Sequence, residues 1–95
     1  MPRLEMRFEW DRRKAHLNWI KHRVSFDEAA TVFADPLSST ISDPDHSIGE
    51  HRFVTLGVSS THRAIVVCHT DRDDELIRII SARMANRHEK TRYEN

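Results

Sequence analysis

The sequence predicts an α+β fold in which two N-terminal helices pack on an antiparallel sheet of about four strands, followed by a short C-terminal helix. Three observations carry this prediction: two capped helical segments near the start, several β-like runs joined by short polar turns, and a polar capped segment near the end. Helices and antiparallel strands segregated along a chain are typical of two-layer α+β domains. We expect one domain over residues 1–95, because this length is near the lower end for a stable core.

The N-terminal segment predicts a strand followed by a helix. Residues Met6 to Trp10 alternate between apolar and polar, which favours a short strand. Asp11 stands where an N-cap is expected, directly before RRKAHLNWIKHR, whose apolar residues recur at helical spacing. We therefore expect the first helix to begin after Asp11.

The second helix has stronger signals. Ser25 and Glu28 have the spacing of a capping box, in which each side chain bonds the other residue's backbone N–H. The pair Asp35-Pro36 ends the helix, because proline disfavours helical geometry in the residue before it. Between these limits lies an apolar stripe formed by Phe26, Ala29, Ala30 and Phe33.

The rest of the chain predicts a strand meander and a final helix. Asn86 and Glu89 form a second cap-like pair that opens a polar helix through Tyr93, and Asp43 to Glu50 reads as a polar loop. Short turns between strands favour antiparallel pairing. The predicted strands are Leu37 to Ser42, His51 to Ser59, Arg63 to Thr70 and Leu76 to Ala82.

Composition favours a cytoplasmic protein. The single cysteine, Cys68, allows no internal disulfide and fits a reducing compartment. The chain has no run of the roughly 20 apolar residues that a membrane helix needs, and its start lacks the apolar stretch of a signal peptide. We therefore expect a soluble protein without a membrane partner.

Charge is informative through its distribution. The 15 Lys and Arg residues balance the 15 Asp and Glu residues. The net charge of 0 therefore gives no argument for nucleic-acid binding. Residues 35–51 carry four acids and no Lys or Arg, whereas residues 52–95 carry seven Arg and one Lys against six acids. A local basic face and an ordinary solvated surface both remain open.

Several kinds of site are excluded. The two glycines, Gly49 and Gly57, cannot build a glycine-rich phosphate loop. Seven histidines form no HxxxH pair, and one cysteine cannot supply a zinc knuckle, so we expect no metal and no cofactor. Cys68 lies in an apolar run, where we expect a buried structural thiol.

Arginines on a predicted strand are the strongest candidates for chemistry. In LIRIISAR, we expect Arg78 on one face and Arg83 on the opposite face, together with Ile79. Arginine in so apolar a run needs a partner. One interpretation is a salt bridge to an acid such as Glu50 or Asp71, and the other is a guanidinium that grips a phosphate.

Two further residues have two interpretations each. His22 follows Lys21 at the end of the first helix, where it either complements the helix dipole or transfers a proton. Tyr93 either covers the core or stacks on a nucleotide base.

Four blocks follow one another along the chain: FEWDRRKAHLNWIKHRVSFDEAATVFADP (8–36), DPDHSIGEHR (43–52), LGVSSTHR (56–63) and IRIISARMANRHEKTRYE (77–94). Taken together, these blocks resemble the BrnT toxin family over nearly the whole chain. Arg23 stands where that family usually has glycine, and His62 stands where glycine is common. The first difference affects the turn between the helices, since glycine readily adopts a left-handed conformation.

The resemblance implies a RelE-like fold in which helices cover one side of the sheet and the other side works on RNA. It implies RNA cleavage that inhibits translation. It also implies a BrnA-type antitoxin, which neutralises the toxin and brings the complex to operator DNA. Whether the RNA is cut free or on the ribosome stays open.

RNA can be cut without a metal when the ribose 2′-OH attacks the adjacent phosphate, which requires a base, an acid and positive charge at the phosphate. A non-catalytic toxin homologue that docks an antitoxin and co-represses the operon is the alternative, and a metal-dependent nuclease is a third possibility. Our candidate residues are Arg83, Arg72 and Arg63 as phosphate clamp, in that order, His22 or Lys21 as base or acid, and Tyr93 and Arg78 in substrate binding.

Overall fold

A computed structural model describes residues 6–47 and 49–94. The described part contains three α-helices and five strands, which confirms the predicted α+β class. Short 3₁₀ turns cover Val32–Ala34 and Pro44–His46. The elements are β1 (Arg7–Glu9), α1 (Arg12–His22), α2 (Phe26–Thr31), β2 (Ser39–Ser42), β3 (Phe53–Val58), β4 (Ala64–Asp73), β5 (Leu76–Met84) and α3 (Arg87–Glu94).

The sheet has the strand order β1-β5-β4-β3-β2. Strands β2 to β5 form the expected antiparallel meander. The expectation of an antiparallel sheet of about four strands was wrong in one respect, because β1 adds a fifth strand and runs parallel to β5, with Phe8 opposite Ile77. The two helices carry the chain from β1 to β2 at the far edge of the sheet. The meander then returns strand by strand, so its last strand, β5, pairs with β1.

The two N-terminal helices cover one face of the sheet. Asp11 caps α1 as expected, its Oδ1 accepting a hydrogen bond from the Lys14 N–H at 3.0 Å. Asn18 lies on the buried side of α1 and holds the helix to β5. Its side chain donates to the Ala82 carbonyl at 2.8 Å and accepts from the Ala82 N–H at 3.1 Å. The core on this face contains Val24, Phe26, Ala29, Val32, Ile65, Val67, Ile77, Ile79 and Ala82.

Helix α2 departs from its prediction in two details. Only half of the expected capping box forms, because Ser25 Oγ accepts from the Glu28 N–H while the Glu28 carboxylate bonds elsewhere. The helix tightens into a 3₁₀ turn after Thr31, which rotates Val32 into the core. Phe33 is therefore only partly buried.

A bulge in β5 reverses the predicted face of Arg83. Cys68 pairs with Ser81 and His69 pairs with Ile79, so Ile80 is an extra residue without a partner on β4. An extra residue shifts every following side chain to the opposite face. The prediction that Arg83 shares a face with Ile79 was therefore wrong.

The other face of the sheet is partly covered by α3. Tyr93 packs against Leu56, Val66 and Ala85, which form a second, smaller cluster of apolar residues. Arg83 lies on this same face, because it pairs with Val66 across β4 and β5. We call this surface the α3 face.

Two residues other than glycine have a left-handed backbone conformation. Arg23 has φ 55° and His62 has φ 65°. These are the two positions at which the family resembled by the sequence has glycine. Arg23 takes the C-cap position of α1, donating its N–H to the Trp19 carbonyl at 2.9 Å. Arg23 therefore makes the turn in the left-handed conformation that glycine adopts more easily.

Among the described residues, no helix combines the length and the apolar character needed to span a membrane.

Candidate active site

A pocket of about 290 Å³ opens on the α3 face, beside the end of β5. It brings together two of the residues predicted from the sequence, His22 and Arg83, which come from opposite halves of the chain. Its remaining lining residues are Asp43, His46, Arg52, Val54, Val66, Cys68, Ile80 and Ser81.

His22 reaches this pocket because of how α1 ends. It is the last residue of the helix, and Asn18 fixes the preceding turn to Ala82 of β5. Strand β1 pairs only with Leu76 to Arg78, so in the described structure the rest of β5 has a free edge. The helix end therefore lies at that edge, and the half-buried imidazole of His22 lines the pocket on the other face.

The loop after β2 supplies a second histidine. Asp43 Oδ2 lies 2.9 Å from His46 Nδ1 and fixes the ring, which leaves Nε2 as the nitrogen turned away from the carboxylate. The loop is closed by the Asp43 N–H, which donates to the Arg52 carbonyl at 2.8 Å. Ser47 Oγ accepts from the Arg52 N–H at 2.9 Å. These bonds hold His46 and Arg52 on one wall.

Sequence reasoning missed these loop residues. All three residues lie in DPDHSIGEHR, where the sequence predicts only a polar loop for Asp43 and His46 and the start of a strand for Arg52. An aspartate three residues before a histidine, followed by an arginine in an otherwise acidic segment, was the available signal.

Arg83 is paired at the lip of the pocket. Its Nη1 and Nη2 donate to Oε1 and Oε2 of Glu89, both at 2.9 Å. The hydrogen bonds from Arg83 lower the pKa of Glu89, and the pKa of Arg83 is raised in turn. Glu89 also accepts from the Asn86 N–H at 2.8 Å, which confirms the predicted cap of α3. The Arg83 side chain is still 44% exposed.

The salt-bridge interpretation of the strand arginines is confirmed, but the acids are not the two named as examples. Arg83 bonds Glu89 of α3, and Arg78 bonds Glu9 of β1 at 2.8 Å, so neither uses Glu50 or Asp71. The reason lies in the topology, because the bulge moves Arg83 toward α3 and parallel pairing brings β1 beside Arg78.

Cys68 and Ser81 form part of the pocket floor. Cys68 is half-buried, so the expected full burial was wrong, because its strand position faces the pocket and not the helices. Burial raises the pKa of the Cys68 thiol, and the group stays protonated near neutral pH. Cys68 therefore lines the floor of the pocket and does not serve as a nucleophile.

Arg63 lies away from this pocket and is held by Glu28. Its guanidinium bonds both carboxylate oxygens of Glu28 and also donates to the Arg23 carbonyl at 3.1 Å. Glu28 further accepts from Ser59 Oγ at 2.7 Å and Thr61 Oγ1 at 2.6 Å. The hydrogen bonds from Arg63 are the main reason that the pKa of Glu28 falls to about 2. This network ties α2 to the β3–β4 turn.

The other candidate residues are spread over the surface. Lys21 is exposed beside His22. Arg72 is exposed near the end of β4, about 20 Å further along the strand than Val66 at ~3.3 Å per residue. Arg78 lies at the same end of the sheet, held by Glu9. The pocket therefore gathers His22 and Arg83 but neither Arg72 nor Arg78.

Tyr93 serves the packing of α3. Its ring lies on Leu56 and Val66, and its hydroxyl donates to Asp35 Oδ2. Burial acts to raise the pKa of Asp35, but the hydrogen bonds from Tyr93 and the Val58 N–H outweigh it and lower the pKa. The Tyr93 hydroxyl is thus occupied, and its ring borders a groove described below.

In the parts of the chain described here, residues 6–47 and 49–94, no cluster of three or more His, Cys, Asp or Glu side chains is placed to hold a metal ion.

The pocket combines two guanidinium groups with two imidazoles around a small volume. Guanidinium groups bind phosphate oxygens through paired hydrogen bonds, and imidazoles can give or take a proton near neutral pH. The fold and this pocket define a small α+β protein whose side chains can hold a phosphodiester and exchange protons with it.

Comparisons with known proteins agree with this class. Residues 10–89 match the family described as the ribonuclease toxin, BrnT, of type II toxin–antitoxin systems. The chain therefore belongs to the BrnT family of ribonuclease toxins. Such a toxin has an antitoxin partner and an RNA substrate.

A solved structure supports the fold. The crystal structure of the Brucella abortus ribonuclease toxin BrnT superposes with a TM-score of 0.62 at 22% sequence identity, covering 86% of this chain and 99% of that one. No curated protein matches the chain.

Proposed function

We propose that this protein is an endoribonuclease toxin that cleaves RNA in the pocket on the α3 face without a metal ion. The cleavage inhibits translation, and a BrnA-type antitoxin neutralises the toxin in the cytoplasm. Operator DNA is contacted only through the toxin–antitoxin complex. The RNA is cut either free or on the ribosome.

One observation carries the proposal: His22, His46, Arg52 and Arg83 line a single pocket of about 290 Å³. Attack by a ribose 2′-OH on its own phosphate needs a base, an acid and positive charge, and these four side chains supply all three. Because the cations come from arginines, the proposed reaction draws no charge from a metal.

Arg83 and Arg52 bind the scissile phosphate in this scheme. The Arg83 fork already holds a carboxylate in the two-point geometry that suits a phosphate, so the substrate takes the place of Glu89. Arg52 makes only a long contact to Glu50, at 3.4 Å, and is available to a second oxygen.

His22 and His46 exchange the two protons. Asp43 fixes one ring nitrogen of His46 and leaves the other for proton transfer, whereas His22 is fixed only through the end of its helix. We assign His46 as the base that accepts the 2′-OH proton, because Asp43 orients its ring and leaves Nε2 for the proton. His22 then donates a proton to the leaving 5′ oxygen.

The remaining candidates have lesser parts. Lys21 and Arg72 are exposed and contribute positive charge along the bound RNA, with effects of about 2- to 5-fold each. Arg78 supports the surface that the RNA crosses, and Tyr93 packs α3 against the sheet beside the pocket. We assign Arg63 to the stability of the fold, because its guanidinium is engaged by Glu28 and the Arg23 carbonyl.

The test is cleavage of a defined RNA by the purified protein with EDTA present. We expect products that end in a 2′,3′-cyclic phosphate, unchanged in yield by EDTA. His22→Gln and His46→Gln should each slow cleavage by roughly 100-fold, because each removes one proton-transfer group.

The matched control is His16→Gln, which alters an exposed histidine of α1 that does not line the pocket. It should cleave at the wild-type rate. Loss of cleavage in EDTA would favour a metal-dependent nuclease, and equal rates for all three variants would remove the pocket from the reaction.

One observation favours a second function. Both terminal nitrogens of Arg83 bond Glu89, so in this state its fork holds no RNA. The alternative is a non-catalytic toxin homologue that docks an antitoxin and co-represses the operon. It predicts no growth arrest when the protein is produced alone, whereas the enzyme arrests growth.

A further inference from the structure

An apolar groove runs along the α3 face beside the pocket. It has a volume of about 760 Å³ and lies between α3 and the edge strand β2. The β2 side is lined by Leu37 and Ile41, which are 71% and 56% exposed. Its floor and far wall are formed by Val54, Leu56, Val66 and Tyr93, with Ser39, Glu89, Arg92 and Glu94 at the rim.

The strand that borders the groove is open to pairing. β2 is the last strand of the sheet, and its outer edge pairs with no other strand among the described residues. All four of its residues are exposed and none is charged. Edge strands that stay monomeric usually carry charges, prolines or bulges, so an uncharged edge with an exposed isoleucine suits the addition of a strand.

The surroundings of the groove favour a basic partner. Residues 35–51, which include β2 and the following loop, carry four acids and no Lys or Arg. Glu89 and Glu94 add negative charge on the α3 side, and Arg92 is the one cation among the groove residues. A polyanion such as RNA is repelled by this rim, whereas a basic protein segment is attracted.

The groove is continuous with the candidate active site. Val54 and Val66 line both cavities. Glu89 lines the groove and also bonds Arg83 at the lip of the pocket. A segment seated in the groove would therefore lie directly beside the pocket.

We propose that the antitoxin docks along β2 as an extended basic segment, with apolar side chains against Leu37 and Ile41, and that it neutralises the toxin by covering the pocket. The proposal rests on the proposed function, since it places the antitoxin of this toxin at the same site. The partner's chemistry follows from the groove: apolar toward its floor and cationic toward its rim.

A second apolar patch on the opposite face provides a matched control. Leu17, Trp19 and Ile20 of α1 are exposed, and Ile20 is 54% exposed against 56% for Ile41. A docking surface built on the patch of α1 would be an equally simple explanation of how an antitoxin binds. Ile20→Lys and Ile41→Lys thus place the same charge at equally exposed isoleucines on the two rival surfaces.

The experiment measures the affinity of each purified toxin variant for the cognate antitoxin, alongside growth arrest with and without the antitoxin. We expect Ile41→Lys to weaken binding by roughly 30-fold or more. The substitution removes a central apolar contact and places a positive charge opposite a basic antitoxin segment. The variant should still arrest growth when produced alone but should no longer be relieved by the antitoxin. Ile20→Lys should bind and respond as the wild type does.

Three outcomes would overturn the proposal: wild-type affinity of Ile41→Lys, loss of affinity in Ile20→Lys alone, or a folded Ile41→Lys that no longer cleaves RNA. Leu37→Lys gives a second variant in the groove, at a side chain exposed enough to leave the core intact. The affinity measurement needs no toxicity, so failure of the nuclease function and failure of this docking site are distinguished.

Discussion

Two arginine–glutamate pairs in this protein each make a two-point contact but have different surroundings. Arg63 uses Nε and Nη2, whereas Arg83 uses Nη1 and Nη2. Arg63 and Glu28 join the β3–β4 turn to α2, and Ser59 and Thr61 also bond the Glu28 carboxylate. Arg83 and Glu89 join β5 to α3 at the lip of a pocket, where 44% of the Arg83 side chain is exposed against 33% for Arg63.

The difference indicates a division of labour. The carboxylate of the first pair is enclosed by donors, and an anionic ligand could displace it only by breaking several bonds between elements. The second pair connects residues close in sequence and faces two histidines and another arginine. The first pair is therefore expected to stabilise the fold, and the second to exchange its carboxylate for a phosphate.

The largest expected effect is on catalysis at Arg83. Arg83→Ala should slow RNA cleavage on the order of 1,000-fold, because it removes the charge that stabilises the reacting phosphate. Glu89→Gln breaks the same pair but keeps the guanidinium, and it should cleave within a few-fold of the wild type. Single-turnover cleavage by both variants checks this. Equal losses would mean that the pair matters only for structure.

The next effect concerns stability at Arg63. Arg63→Ala should lower the free energy of unfolding by about 3 kcal/mol, since it leaves the enclosed Glu28 carboxylate without its cation. Urea denaturation followed by circular dichroism measures the change. Cleavage per folded molecule should stay near the wild-type rate. An unchanged stability with lost cleavage would return Arg63 to the phosphate clamp of the sequence-based prediction.

Low pH should destabilise the protein mainly through Glu28 and much less through Glu89. The pKa of Glu28 is about 2 in the folded protein, below its ordinary value of 4.5. The ionised Glu28 carboxylate therefore stabilises the fold fully above pH 4.5, and this stabilisation is lost as the pH falls toward 2. We expect a loss on the order of 2 kcal/mol between pH 5 and pH 2 after screening by solvent.

The check is urea denaturation across this pH range. Glu28→Gln should lose most of the pH dependence, whereas Glu89→Gln should keep most of it. A wild-type slope in Glu28→Gln would show that the network around Arg63 does not bind its carboxylate as tightly as described.

The smallest effect is at the strained backbone near the first pair. His62→Gly should raise the free energy of unfolding by about 1 kcal/mol, because glycine adopts a left-handed conformation without steric cost. Arg23→Gly should gain less, since the Arg23 guanidinium lies 5.5 Å above the Trp19 ring and that contact would be lost. Thermal unfolding of both variants tests the order, which a destabilised His62→Gly would contradict.

Local features of the fold could be predicted from the sequence. The caps at Asp11, Ser25 and Asn86 depend on a few neighbouring residues. Those at Asp11 and Asn86 form as expected, and Ser25 forms half of its predicted capping box. The antiparallel meander follows from short turns between β-like runs. The family profile supports the toxin identity that the sequence blocks suggested. The likeness to RelE remains a prediction.

Features that depend on contacts between distant residues could not be predicted. The parallel pairing of β1 with β5 joins the two ends of the chain. The bulge at Ile80, which decides the face of Arg83, leaves no mark in the pattern of LIRIISAR. The lining of the candidate pocket could be predicted in part. His22 and Arg83 are candidates from the sequence, whereas the proximity of His46 and Arg52 depends on the folded loop.

The most direct test of the central claim is growth after induction of this chain alone, beside Arg83→Ala at equal soluble level. We expect arrest by the wild type and normal growth with Arg83→Ala. Continued growth with a folded, soluble wild type, or arrest that persists in Arg83→Ala, would contradict it.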